Sequence, residues 1–357
     1  MLANHSDYEI CEPGRLIVKY LREGDFDPAL SPSGVISVVR NVNAVSVDSE
    51  LYKPAAALTK ELDVLFQRTD GRWIRGDAFP MRVDPFDPNP KKPRSVSQLK
   101  QYEKCPYSYY LARVERAWQR PAAWLPQGTA VHAAIEARER SGRTMTLEET
   151  QDVFRAEFQR ETNAMTAITP NWQWWFRSGP YGGMEDTERR YEIGLEQIEK
   201  YFAWTDSHPE EETWITPDGT PAIELRFNMD LDGVRVLGFI DQVLKVQSGG
   251  EAPELRVRDH KTGNNPGDDF QLGVYSVAIE DKYGVKPEVG DYYMAGKKGK
   301  KGQPTYPFDL RDWTRERVTE KFHELEENLQ AKRFDPQPDP DKCNFCDVSY
   351  SCPYAAG

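Results

Sequence analysis

A mixed α/β fold, a mixed sheet with helices packed on it, is what this chain of 357 residues predicts. Three observations carry that reading. Helical patterning dominates from 97 to 205, and a β-rich stretch follows over 222–259. A helix over 268–283 then separates that stretch from further strands at 289–294 and 305–310. Two long runs, 234–246 and 254–259, flank Gly249-Gly250, a dipeptide that tolerates positive φ and reads as a hairpin turn.

The elements follow in order. Residues 1–94 form an N-terminal module with short β-rich runs at 15–20 and 35–39 and a helical candidate over 55–67. Four prolines within 84–94 fix φ and remove donors, so an extended connector and a domain boundary near residue 94 are expected. A helix is expected over 97–117 with Ser97 as its cap, and another from Gly128 carrying Val131, Ala134 and Ile135. Helices over 147–165 and 185–205 flank Asn171-Trp-Gln-Trp-Trp-Phe176, an aromatic cluster that reads as packing surface or, alternatively, as a base-stacking platform. A long amphipathic helix over 313–332 closes the α/β part.

Composition narrows the function classes. Acidic residues outnumber basic ones, 58 to 46, for a net charge of −12, which argues against a non-specific DNA coater but not against a nucleic-acid enzyme with local basic groups. No apolar run approaches the ~18 residues of a membrane span, and no secretory signal pattern opens the chain. Five cysteines do not make a disulfide scaffold, so a cytoplasmic, reduced setting is expected. The lysine run Lys297, Lys298, Lys300 and Lys301 reads as a solvated hairpin tip or as a phosphate contact.

The hairpin carries the chemistry. If its strands pair symmetrically about the turn, Asp241 falls opposite Asp259, with Cβ atoms about 5 Å apart. Two like charges so placed need a neutraliser, and a divalent cation with oxygen ligands is the natural one. Alternation puts Asp259 and Lys261 on one face and His260 on the other. A carboxylate–ammonium pair suits metal-assisted hydrolysis, in which the ion activates water and the amine stabilises developing negative charge. Gln271 and Tyr275, four apart, share a helix face. His132, near the start of its helix, could add a neutral nitrogen ligand.

Cys343 and Cys346 have C-x2-C spacing, Cys352 follows five residues on, and Cys105 lies far upstream in Glu103-Lys-Cys-Pro106. Four thiolates suit zinc or an iron–sulfur cluster, and spacing does not separate the two. A site joining them would close a very long loop. Cys11 reads as an ordinary free thiol.

In order, Ser97-Gln-Leu-Lys-Gln-Tyr-Glu-Lys-Cys-Pro-Tyr107, Gly128-Thr-Ala-Val-His132, Gly238-Phe-Ile-Asp241, Arg258-Asp-His-Lys-Thr-Gly263, Gln271-x-x-x-Tyr275 and the C-x2-C-x5-C run resemble the RecB-like branch of the PD-(D/E)XK nuclease superfamily. They are most similar to members with a four-cysteine iron–sulfur site, such as AddB-type nuclease domains and the CRISPR-associated Cas-four group. The resemblance covers 95–357 and leaves 1–94 unexplained. It implies a restriction-endonuclease-like mixed sheet flanked by helices, with helical insertions, an iron–sulfur-stapled C-terminus and a small N-terminal appendage. It implies a Mg²⁺ or Mn²⁺ ion held by His132, Asp241, Asp259 and the backbone carbonyl of His260, with Lys261 as the catalytic lysine. Gln271 and Tyr275 would place Lys261 or the DNA strand, and Glu224 stands where some relatives carry an acidic residue. A [4Fe-4S] cluster on Cys105, Cys343, Cys346 and Cys352 is implied in place of zinc. Arg258 and His260 depart from the pattern, where relatives commonly carry an apolar and an aromatic residue.

The function that follows is a metal-dependent DNA exonuclease acting at single-stranded DNA or DNA ends, in repair, recombination or phage or CRISPR DNA processing. Any helicase or recombination or CRISPR-adaptation partner would be a separate chain. The alternative is a non-catalytic DNA-end binding or adaptor protein that keeps the scaffold.

Overall fold

The structure, a computed structural model, describes residues 66–69, 72–75, 92–247, 253–296 and 300–356. Two compact units are present: Asn89–Leu99 with Pro121–Gln330 form one, and Lys100–Arg120 with Ala331–Gly357 contribute to the other. In the second unit, β1 (Phe66–Thr69) pairs antiparallel with β2 (Arg72–Arg75). The end of the helix expected over 55–67 is therefore strand, and 55–65 lie outside the described residues, as do the runs at 15–20 and 35–39.

The helix expected over 97–117 is broken. α1 (Val96–Lys104) stops before Cys105, whose backbone is extended (φ −167°), and α2 (Pro106–Tyr109) runs into a π-turn, Tyr110–Val114. Pro106 lacks an N–H and its ring disfavours helical geometry at the residue before it, so the break was written in the Cys-Pro dipeptide. Segments 100–120 and 331–357 interlock: Leu111, Ala112, Ala117 and Val348 form a small core, Arg120 N–H donates to the Asp347 carbonyl at 2.7 Å, and Trp118 stacks on Tyr350.

The larger unit carries α3 (Trp124–Arg140), α4 (Leu147–Ile168) and α5 (Gly183–Ser207). α4 opens on a capping box, Thr146 with Glu149, which satisfies two end N–H groups. Gly194 of α5 sits against the Phe154 ring, where an added Cβ would come within 2.2 Å, so its small size sets the α4–α5 approach. Of the aromatic cluster, Trp174, Trp175 and Phe176 are buried, and Trp175 Nε1–H donates to the Thr169 carbonyl. The packing reading holds for these three rings, because a buried face has no room for a base.

The seven-stranded sheet runs β3 (Glu211–Thr213), β5 (Val234–Val246), β6 (Glu254–Lys261), β7 (Val289–Met294), β8 (Gln303–Pro304), with β4 (Ile223–Leu231) also on β5 and β9 (Phe308–Asp309) on β7. β6 and β7 are parallel and are connected through α6 (Phe270–Tyr283); the other pairs are antiparallel, so the sheet is mixed as expected. α7 (Arg315–Gln330) buries Val318, Phe322, Leu325 and Leu329. β3 was not anticipated: Glu-Glu-Thr has no apolar alternation, and only pairing with Leu244–Val246 makes it a strand. Of the strand expected over 305–310 only Phe308–Asp309 forms, and Gln303–Pro304 pairs as a separate short strand before it.

A buried ion network ties this sheet. Arg258 on β6, 2% exposed, makes a bidentate contact to Glu211 of β3 (2.6 and 2.9 Å) and another to Asp291 of β7 (2.7 and 2.9 Å). Burial opposes the guanidinium charge, but hydrogen bonds and attraction to Asp291 and Glu211 outweigh that and raise its pKa. This accounts for a charged side chain buried in the middle of the sheet. Arg258→Ala leaves two buried carboxylates with only the Trp204 N–H on Glu211 and Arg256, at 3.4 Å, on Asp291. It is expected to cost about 3–5 kcal/mol, read as a lower urea midpoint at unchanged slope.

Candidate active site

The register of β5 on β6 runs from Val246↔Glu254 to Gln242↔Arg258, partner numbers that sum to 500, so Asp241 and Asp259 come next in line. β5 takes this course because its Gly238 lies under the Phe227 ring of β4: a Cβ at 238 would approach that ring to 2.6 Å. The same ring meets Tyr275 of α6 edge-on at 5.9 Å. The small residue thus lets α6 sit close to the sheet.

Tyr275 and Gln271 occupy one face of α6, and Gln271 Nε2 lies 2.7 Å from the Tyr275 hydroxyl and donates to Asp259 Oδ1 at 2.6 Å. Lys261 Nζ is 2.7 Å from Asp259 Oδ2 and 3.4 Å from Gln271 Oε1, over the face of Tyr292 at 5.3 Å. Asp259 and Lys261 therefore share a face, and the His260 ring points to the other, into a buried aromatic group with Tyr201 and Tyr293. Burial, followed by His132, Arg258 and Lys261, drives His260 well below the ordinary histidine range, so its ring is neutral. Tyr292 was missed at the sequence level. The parallel β6–β7 pairing that brings it beside Asp259 is its only signal.

Asp241 Oδ2 accepts the backbone N–H of His260 at 2.7 Å and lies 3.5 Å from His132 Nδ1, which is also 3.9 Å from Glu224 Oε1. Ligand atoms of His132, Glu224 and Asp241 lie within 4.8 Å of one another. Asp259 is outside that triad, its carboxylate turned toward Lys261 and Gln271. Glu224 has φ +43°, a left-handed conformation costly for a residue with a Cβ, at the point where the β4–β5 ladder passes over its pairing with Asp241. The distortion falls on the strand residue that completes the triad.

Charge at this site is unbalanced. Burial and the neighbouring Asp259 carboxylate push Asp241 well above the carboxylate range. Burial would lower His132, but Asp241, Glu224 and Asp259 together lift it to about 9. Asp259 Oδ2 is buried and paired with the Lys261 ammonium at 2.7 Å. The clustered Glu224 and Asp241 carboxylates, with the His132 imidazole beside them, fit a divalent cation with mainly oxygen ligands. A cavity of about 780 Å³ opens beside the triad, lined by His132 and Glu224 with Trp124, Arg190, Thr262 and Asn264.

The other sequence candidates fall elsewhere. Lys300 and Lys301 are exposed, and Lys297 and Lys298 lie outside the described residues. Cys105, Cys343, Cys346 and Cys352 are half-buried, all within the second unit, and Cys346 and Cys352 pack on its small core. Burial pushes the Cys346 thiol up to about 11.

A mixed sheet with a carboxylate pair, a lysine two residues after the second carboxylate, and a helix behind them defines a nuclease core of one particular class. The chain belongs to the PD-(D/E)XK nuclease superfamily, whose profile matches residues 93–353. It is 59% identical over 264 residues to the Gene 69 protein of Mycobacterium phage D29, and 53% identical over 283 residues to that of Mycobacterium phage L5. Each match covers 73% of this chain and 96% of the relative. A solved structure, a crystal structure of SSO0001, matches 73% of this chain and 96% of its own at 13% identity, with a TM-score of 0.29, too low to bear on the fold.

Mn²⁺ titrated into the protein is expected to raise the melting temperature through binding to the native state alone. Asp241→Asn, which removes the charge shared by both carboxylate clusters, is expected to abolish most of that rise. Calorimetry and differential scanning fluorimetry read both effects without any substrate.

Proposed function

We propose that this chain is a metal-dependent deoxyribonuclease that works from DNA ends, with preference for unpaired strands, in phage DNA processing. The observation that carries this reading is the Asp241–Asp259–Lys261 constellation: one carboxylate tethered by the His260 N–H, the other held by Gln271, and an ammonium 2.7 Å from it. Two mycobacteriophage relatives support the phage setting. The six ordered motifs support the RecB-like branch, and the profile match beginning at 93 supports a boundary near residue 94, with 95–357 as the nuclease body. Unwinding would then fall to a separate helicase chain.

His132, Glu224, Asp241 and Asp259 would hold Mg²⁺ or Mn²⁺, with the His260 carbonyl completing the set. The ion would supply an acidified water and neutralise phosphate charge. The protein's own groups do the positioning. Gln271 orients Asp259 through its amide N–H, and the Gln271 carbonyl oxygen and Asp259 together fix the Lys261 ammonium. Tyr292 bounds the lysine on its other side. Lys261 Nζ, 28% exposed at the side-chain level, faces solvent where a phosphate arrives and can stabilise negative charge on it.

A [4Fe-4S] cluster on Cys105, Cys343, Cys346 and Cys352 completes the proposal. The packing of 100–120 against 331–357 supports it, because it gathers the four thiols into one unit.

End-labelled single- and double-stranded DNA should be degraded with Mg²⁺ or Mn²⁺ and not with EDTA. Lys261→Ala should lower the rate about 10²–10³-fold while keeping its Mn²⁺-induced rise in melting temperature. Cleavage by that variant at wild-type rate would show that the site is misassigned. Separately, anaerobically purified protein should be brown, with absorption near ~400 nm that Cys352→Ala removes. A colourless protein carrying zinc would replace the cluster in this account.

A further inference from the structure

Beyond the metal ligands, β4 and β5 continue as a ribbon with one face in the core and one in solvent. Ile223, Leu225, Phe227, Met229 and Leu231 point inward, while Glu224, Arg226 and Asn228 alternate with them. On β5 the outward set is Asp241, Phe239, Leu237 and Arg235. Phe239 is 50% exposed, an unusual place for a phenyl ring in the middle of a 13-residue strand. Its cross-strand partner is Arg226, also exposed, and no hydrogen bond or ion pair with another described residue holds that guanidinium.

This pair lies one alternation step from Glu224 and Asp241, on the same face and in the same register. Residues i and i+2 of a strand are about 6.8 Å apart, on the order of one nucleotide step along an extended strand. Directly opposed side chains have Cβ atoms about 5 Å apart. A phosphate at the carboxylate cluster thus brings the neighbouring nucleotide over the half-exposed Phe239 ring and within reach of the exposed Arg226 guanidinium.

We propose that Phe239 and Arg226 form a shelf for one unpaired nucleotide next to the scissile phosphate, with the Phe239 ring stacking its base and Arg226 taking its phosphate. The proposal rests on the nuclease reading of the adjoining site and names the residues that would carry its preference for unpaired strands. A ring stacks on any base, so the shelf selects for an unpaired strand without selecting sequence. A base inside a duplex is already covered on both faces and cannot reach the ring. Continuity with the carboxylate site and the positive charge of Arg226 favour a nucleic-acid strand as occupant over an apolar protein surface.

The test is binding of fluorescein-labelled oligo(dT) and of a blunt duplex by anisotropy, with Ca²⁺ replacing Mg²⁺ to suppress cleavage. Phe239→Ala is expected to weaken oligo(dT) binding about tenfold or more and duplex binding much less, and Phe239→Trp is expected to restore it. Arg226→Ala should lower the salt slope by about one contact. Melting temperatures of the variants confirm that each is folded. Wild-type affinity of Phe239→Ala for oligo(dT), or equal losses on both DNAs, overturns the shelf even if the wild type digests DNA. A wild type that binds oligo(dT) through Phe239 yet cuts nothing overturns the nuclease reading and leaves the shelf standing. A wild type that neither binds nor cuts overturns both.

Discussion

The pairing of β5 with β6 brings Asp241 and Asp259 side by side, and the larger unit is arranged around what that proximity costs. Two carboxylates this close and this buried repel each other, and water cannot screen them. The cost shows as a raised Asp241 and a histidine lifted to about 9. Such a site persists only because surrounding packing holds the register, and it gains most from a cation that the unfolded chain cannot bind in the same way.

Two devices supply that packing. Arg258 clamps β6 between Glu211 and Asp291, so the strand carrying Asp259 and Lys261 cannot slip. A one-residue shift would turn both groups into the aromatic core where the His260 ring now sits. On the other side Gly238 admits the Phe227 ring, which meets Tyr275, and α6 then delivers Gln271 to Asp259. Lys261 is thus oriented by a chain of contacts reaching across two strands and a helix. The positive φ of Glu224 is local strain at the same point, supported by a ladder that is regular on both sides of it.

The cysteine-bearing unit follows a different logic. Among its described residues Leu111, Ala112, Ala117 and Val348 form one apolar cluster with Cys346 and Cys352 packed against it, and Trp118 stacks on Tyr350. The proposed centre on four thiols would close a long loop and so remove unfolded-chain entropy.

Much was legible in advance because strand periodicity and turn chemistry are local. A symmetric pairing of the two runs gives the register that β5 and β6 adopt, and alternation then placed Asp259 with Lys261 and away from His260. The break at Cys105 was also written locally, in Pro106, though it was read as continuous helix. Glu211, Asp291 and Tyr292 could not be found this way. Each matters only through a residue distant in sequence, and nothing in Glu211-Glu212-Thr213 announces a strand until Leu244–Val246 lies beside it. The chain alone determined which residues share a face, since that depends on backbone geometry over a few residues. The tertiary structure decided which faces meet, which carboxylates gather about His132, and which ring is left in solvent beside them, since those depend on packing between segments that the sequence does not place next to one another.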